Sequence, residues 1–396
     1  MIYLFLFLFS GVAAVFFDNG RFNEKSSNAI YWLLCLVFII VSGIKYRVGG
    51  DPLTYADEYS SYPAFKDFGS EDIFHMKYSP LFYVIVALCK LVSNDFVFFQ
   101  IIQSLVINIA VFWIINRYSR LRFTAIFLYY LLFYVYFWEI MRESFCIALF
   151  LFAVPSLFQK RYLRYYLLVL LAVFIHVSAS FLLVLPLLYK FVKKGWLFVL
   201  VGTLGIAVLF MLILQYPFVF SEVLPKRIMQ KILGYGTLDI YGPAVVLNYI
   251  HASALAILVL LSKKFYGMDD LQPMLKIYIM IFLLTASVQG IYRLANYVCV
   301  FEIIVMSQLL VPVFRTFRAK PFPALVLMGA FSVILWLKAF DLTISTDYYS
   351  SGTHFYNRYY PYETVFAPKS HYWREAIYYN LMDDLHEKKR ARNTVY

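Results

Sequence analysis

Residues 160–190 read KRYLRYYLLVLLAVFIHVSASFLLVLPLLYK. Lys160, Arg161 and Arg164 open the stretch, a long apolar run follows, and His176, Ser178, Ser180 and Pro186 interrupt it before Lys190 closes it. One membrane crossing takes about 20 apolar residues, so this run is too long for a single span and too broken for one straight helix. The pattern predicts a re-entrant hairpin that turns near His176 and returns both basic ends to one side.

Apolar runs of the same kind recur through the chain. Of 396 residues 62% are hydrophobic and 15% charged, with a mean hydropathy of +0.71. A soluble domain carries about a quarter charged residues, so this composition excludes a soluble globule. The runs are continuous rather than alternating, which calls for helices and not barrel strands. The expected fold class is all-α, a polytopic integral membrane protein. Apolar segments cover 2–17, 28–45, 79–92, 96–116, 122–138, 142–158, 163–190, 195–216, 244–262, 273–291, 295–314 and 322–340. They form one multi-helix transmembrane domain over 1–341, followed by a tyrosine-rich polar tail over 342–396. The net charge of +12 sits in Lys and Arg beside these runs, as topology and anionic headgroups require; no long basic tract occurs and no nucleic acid is expected. Cys35, Cys89, Cys146 and Cys299 all fall inside apolar runs without metal-ligand spacing and read as packing residues. The N-terminal MIYLFLFLFSGVAAVFF lacks a basic leader and a small-residue cleavage site, so it reads as a first, uncleaved helix.

Charge fixes the expected sidedness. Arg21 and Lys25 place the first link in the cytoplasm, and residues 46–78 then face outward. If 79–92, short for a span, only dips into the outer leaflet, and the hairpin turns near His176, the basic links at 117–122, 159–164, 190–194, 263–264 and 315–320 all become cytoplasmic. Arg142, Glu143 and Arg293 then join Arg47 and Asp51 on the outer side. Parity also puts the tail outside, although its basic run from His386 to Arg392 points the other way.

The outer side gathers the chemistry. In YRVGGDPLTYADEY, residues 46–59, Arg47 leaves a membrane helix, Gly49, Gly50 and Pro52 make a turn, and Asp51 precedes the spaced rings of Tyr55, Tyr59 and Tyr62. A charge pair at a membrane exit costs free energy unless it is used or well solvated, so this turn reads as one lip of an active site. In WEIMRESFCIALFLF, residues 138–152, Glu139, Arg142 and Glu143 open an apolar helix. The plain account pairs Glu139 with Arg142 on one face and lets both glutamates favour the helix dipole. The functional account makes Arg142, beside free backbone donors, a diphosphate site. His176 is either a structural residue satisfied by Ser178 or Ser180, or a base or diphosphate donor. Gln289, Tyr292, Arg293, Asn296 and Tyr297 share helical spacing and form a polar seam suited to a cavity wall. The loop at 217–243 adds Lys226, Arg227, Lys231 and a turn at Gly234–Gly236. The 35 tyrosines serve as interfacial anchors or as platforms for sugar rings.

No Walker loop, dinucleotide fingerprint, HExxH or CxxC occurs, and the acidic pairs Glu71–Asp72, Asp269–Asp270 and Asp383–Asp384 make no DxD beside an outer arginine. A metal-independent site without a cofactor is expected.

In this order, RVGGDPLTYADEY at 47–59, MRESFCIALFLF at 141–152, KRYLRYYLLVLLAVFIHVSASFLLVLP at 160–186, YRLANYVCVF at 292–301 and YPYETVF at 360–366 resemble the EpsG family of bacterial exopolysaccharide proteins, grouped with Wzy-type O-antigen and capsule polymerases. The chain departs from the better-known Wzy pattern in lacking paired arginine-rich outer loops that end in glycine. The resemblance implies a glycosyltransferase-C-like helical bundle in the bacterial cytoplasmic membrane, polymerising lipid-linked repeats at its outer face. Its partners would be undecaprenyl-diphosphate-linked oligosaccharides, membrane lipids and a chain-length regulator. On the residues here, Arg142, Arg47 and Arg293 would hold the leaving diphosphate, with Tyr55, Tyr59 and Tyr297 lining the substrate path. The base would be Asp51 by preference, or else Glu143 or His176, and direct displacement would invert the anomeric centre. A lipid-linked oligosaccharide flippase should show internal repeats, and none is visible. An acyltransferase would need a second catalytic polar residue near His176. A structural subunit of an export complex would have little use for polar residues in apolar helices.

Overall fold

The computed structural model describes residues 1–18, 22–69, 76–216, 219–220, 242–265, 269–285, 289–317, 321–343, 355–376 and 378–379. Arg21, the Glu71–Asp72 and Asp383–Asp384 pairs, the 226–236 loop and the basic run at 386–392 lie outside the described residues.

Fourteen helices are used below: α1 Ile2–Phe17, α2 Glu24–Gly43, α3 Asp51–Glu58, α4 Pro80–Lys90, α5 Phe96–Tyr118, α6 Arg122–Tyr129, α7 Met141–Phe158, α8 Tyr162–Ile175, α9 Phe181–Lys193, α10 Trp196–Gln215, α11 Gly242–Phe265, α12 Gln272–Leu284, α13 Ala295–Phe317 and α14 Pro321–Thr343. Among the described residues no strand forms; isolated bridges join Lys45 to Thr364 and Thr364 to Ala367. Four helices are long and apolar enough to cross a membrane: Glu24–Gly43, Phe96–Tyr118, Met141–Phe158 and Trp196–Ile213. On the last, Leu197, Leu200 and Leu204 are all more than half exposed, as lipid contact allows.

Local chemistry sets the helix starts. The Asn23 side chain accepts from Ser26 N at 2.7 Å to open α2, and Asp95 accepts from Val97 N at 2.9 Å to open α5. The α6 N-terminus is capped from a distance, since the Asp18 carboxylate accepts from Phe123 N at 3.2 Å and Thr124 N at 2.7 Å. Beyond Tyr129 the expected continuous helix does not persist. The chain widens into a π turn at Tyr130–Tyr134 and tightens at Tyr136–Trp138, which re-aims Trp138 and Glu139.

The bundle has two distinct ends. Gln100, in the first turn of α5, donates to Gly43 O at 2.7 Å and Lys45 O at 2.8 Å, so α2 ends where α5 begins. At the far ends, Tyr118 meets Phe158 at 5.5 Å between ring centres, Phe158 stacks on Tyr189 at 5.6 Å, and Lys193 reaches Asp270 at 3.2 Å. Arg117, Arg122, Lys160, Arg161, Lys190 and Lys193 therefore gather at one end, while Lys45, Asp51 and Arg142 stand at the other.

The chain turns back at His176. Along one continuous helix residues 165 and 182 would lie about 25 Å apart, yet the Tyr165 hydroxyl donates to Leu182 O at 2.7 Å. The α8 segment has 14 residues and rises about 21 Å, so His176 reaches the level of the first turns of α7, where Cys146 Sγ contacts Ala172 O at 3.2 Å. Buried polar pairs tie the helices together where apolar packing has no preferred partner. Gln103 donates to Ser144 Oγ at 2.8 Å, Tyr129 to Asn108 at 3.2 Å, and His251 Nε2 meets Glu302 Oε1 at 2.8 Å.

A candidate active site at the turn end of the bundle

The 46–52 turn is built for close approach. Gly49 has φ +101°, and a Cβ on Gly50 would stand 2.9 Å from Tyr378 Cδ2 and 3.1 Å from Glu139 Oε2. Arg47 itself sits at φ +49°, a conformation that costs about 1 kcal/mol or more outside glycine. The C-terminal segment holds the chain there. Tyr46 N donates to Glu363 O at 2.8 Å, Gly49 N to Arg358 O at 3.0 Å, and the buried Arg374 donates through Nη1 to Arg47 O at 3.0 Å.

Glu139 closes the turn from the opposite side. Its carboxylate accepts from Gly50 N at 2.9 and 2.8 Å and from Asp51 N at 2.9 Å, occupying the donors at the start of α3. Beneath it lies Lys45, 1% exposed, with Nζ on Ser42 O at 3.1 Å and 5.6 Å from the Trp138 ring centre. Burial pushes the Lys45 ammonium down to about 7, against the opposing pull of Glu139.

Asp51 stands at the centre. Its side chain is exposed, yet burial raises its carboxyl to about 6; nearby Glu139 adds to the rise while Arg293, Arg142 and Arg358 counter it. The carboxyl is reachable by solvent although protein surrounds much of it. Arg293 is likewise exposed. Three guanidinium groups thus act by charge on one carboxyl, from α7, from the 289–294 turn before α13, and from the C-terminal segment.

A family model for the EpsG family matches residues 28–364. The chain belongs to the EpsG family. No curated protein and no solved structure matches it. The match takes in Asp51, Glu139, Arg142, His176, Arg293 and Arg358 and ends before Arg374 and Tyr378, so within this EpsG-family chain the tail's last contacts lie beyond the shared region.

The other residues read from the sequence fall into three groups. Arg142 Nε donates to the Tyr55 hydroxyl at 2.5 Å, and its guanidinium lies 3.9 Å from the Tyr78 ring centre, so no Glu139–Arg142 pair forms. Arg47 is taken up at the rim by Glu375 at 2.7 Å and Asp57 at 3.3 Å. Glu143 lies buried with Oε2 accepting from Asn296 at 3.3 Å, while His176 Nδ1 meets Ser178 Oγ at 2.5 Å and Ser178 Oγ meets the Tyr297 hydroxyl at 2.9 Å. Tyr55, Tyr59 and Tyr62 are 5%, 2% and 6% exposed and pack with Tyr78, Phe82 and Phe99; the rings form the wall behind Arg142 rather than an open platform.

Sequence reasoning missed Lys45 and Tyr378, quoted Arg358 only within the tyrosine-rich tail, and did not foresee that Glu139 reaches the turn. Lys45 had a signal, as the lysine at a helix end just before the turn. Arg358 and Tyr378 had none beyond tyrosine richness, because their places depend on contacts across more than 300 residues of chain.

Proposed function

We propose that this EpsG-family protein is a polysaccharide polymerase that transfers a growing glycan from undecaprenyl diphosphate to a sugar hydroxyl of a second lipid-linked repeat. The observation that carries this reading is the accessible Asp51 carboxyl, raised to about 6, within the field of Arg142, Arg293 and Arg358. A base poised near the working pH and a cluster of cations are the two halves that glycosyl transfer from a diphosphate needs.

In this mechanism the acceptor hydroxyl oxygen attacks the anomeric carbon as the bond to the diphosphate oxygen breaks. Asp51 takes the hydroxyl proton, and the three guanidiniums stabilise the charge growing on the leaving diphosphate. Attack assisted by one carboxylate, with no covalent intermediate, inverts the anomeric centre. The arginines supply the cationic charge, so the proposed reaction needs no metal. The gathering of basic links at the far end of the bundle supports a site on the outer face of the bacterial cytoplasmic membrane. A glycosyltransferase-C-like arrangement, with α8 and α9 as a hairpin entered from the cytoplasmic side, belongs to the same proposal.

The test is polymerisation by purified protein in nanodiscs, supplied with undecaprenyl-diphosphate repeat units from the same host, with and without chelator, beside Arg142→Ala. A product ladder that survives chelation and disappears in the variant supports the mechanism. Folded wild-type protein that makes no ladder from authentic substrate refutes it and turns attention to lipid flipping.

A further inference from the structure

Glu139 spends both carboxylate oxygens on the backbone of the residue pair that carries the base. Its acceptors meet Gly50 N at 2.9 and 2.8 Å and Asp51 N at 2.9 Å, and the Tyr359 hydroxyl turns to the same group. A second carboxylate beside a catalytic one opposes its ionisation, so leaving Glu139 there has a cost that a mere cap would not require. A neutral side chain, serine or asparagine at the residue before the helix, caps a helix start without that cost. Instead Gly50 stands at this position, without a side chain to offer, and the cap comes from 89 residues away.

Lys45 makes the arrangement affordable in a buried setting. It sits near Glu139 with Ser42 O and the face of Trp138 as its side-chain partners among the described residues, and its attraction to Glu139 works against its own desolvation. The groups that act on Asp51 are Tyr55 from α3, Glu139 from the segment before α7, Arg142 from α7, Arg293 from the turn before α13, and Arg358 and Tyr378 from the C-terminal segment. Among them Glu139 alone is negative.

We propose that Glu139 is the positioning residue of the site: it clamps the Gly50–Asp51 backbone so that the Asp51 carboxyl faces the arginine cluster, and its charge keeps that carboxyl basic enough to take a proton there. The inference rests on Asp51 as the base, but its consequences can be read without turnover. Lys45 attracts Glu139 by charge, and the clamp ties the start of α7 to the geometry of the turn.

The experiment uses full-length protein in nanodiscs and two readouts. Difference infrared spectroscopy follows the protonated carboxyl band that disappears in Asp51→Asn. In Glu139→Gln its titration midpoint is expected to fall by about one pH unit, since removing one nearby like charge shifts a carboxyl by that order. A midpoint that stays in place in folded Glu139→Gln overturns the proposal. Hydrogen exchange of the 46–59 peptide is the second readout, in Glu139→Asp, which keeps the charge but draws it back by one methylene. Exchange is expected to speed by about tenfold or more, as for the loss of a hydrogen bond to a charged group; unchanged exchange overturns the clamp. Neither readout needs polymer formation, so a failed polymerase reading and a failed positioning role give different results.

Discussion

Lowering the pH through the value at which Asp51 gains its proton should switch the reaction off. Burial and Glu139 lift this carboxyl to about 6, against an ordinary aspartate near 3.8. In the proposed mechanism the working form is the carboxylate, so activity should be full above this value and fall as pH drops through it. One unit below the midpoint about a tenth of the sites remain ionised, and each further unit removes about another factor of ten. The folded protein binds this proton more readily than the unfolded chain, so between about 4 and about 6 this group makes stability fall as pH rises. Acid loss of activity therefore cannot be an unfolding effect of Asp51 itself. The assay is the initial rate of ladder formation in nanodiscs from about pH 5 to about pH 8 at constant ionic strength, with thermal unfolding followed in parallel. The acid limb should be present in wild-type protein, and Asp51→Asn should be nearly inactive throughout. A rate that is flat across pH 6 in folded wild-type protein would refute the assignment of Asp51 as the base.

Three further outcomes follow from the same geometry. Gly50→Ala brings a methyl group to 2.9 Å from the Tyr378 ring, and should cost about 1 to 3 kcal/mol by thermal unfolding while lowering turnover more than Gly69→Ala, where a Cβ meets open space. Lys45 is held down to about 7 from 10.5, so the unfolded chain binds its proton over that window and this group makes stability rise with pH across it. Lys45→Met should remove that rise, read as an unfolding midpoint that no longer climbs from about pH 7 to about pH 10. Arg358→Ala should weaken undecaprenyl-diphosphate binding by about ten- to a hundredfold in a direct binding measurement, as expected for a lost hydrogen bond to a charged group.

How much of this was legible in advance depended on range along the chain. Asp51, Arg142 and Arg293 stood out because a charged residue in apolar surroundings is costly wherever its neighbours are. The break at His176 was readable from polar residues inside one apolar run. The recruitment of Glu139 to the turn was not, because the helix pattern offered Arg142, three residues away, as a sufficient partner. The widened turn at Tyr130–Tyr134 re-aims Glu139 toward Gly50 and leaves Arg142 to Tyr55.

By itself the sequence determined that the chain is helical, that its runs are apolar enough for a membrane, and which links carry the positive charge. Those properties are sums over neighbouring residues: hydropathy over about 20 positions and charge beside each run. Only the tertiary structure decided that the C-terminal segment folds onto the 46–52 turn, that Arg358 and not Arg47 adds to the charge acting on Asp51, and that Tyr59 is packed away. Lipid cannot rank one polar partner over another by solvation, so each buried charge takes the partner that packing brings within reach. That choice is made across 89 residues for Glu139 and 327 for Arg374, beyond the reach of any local pattern.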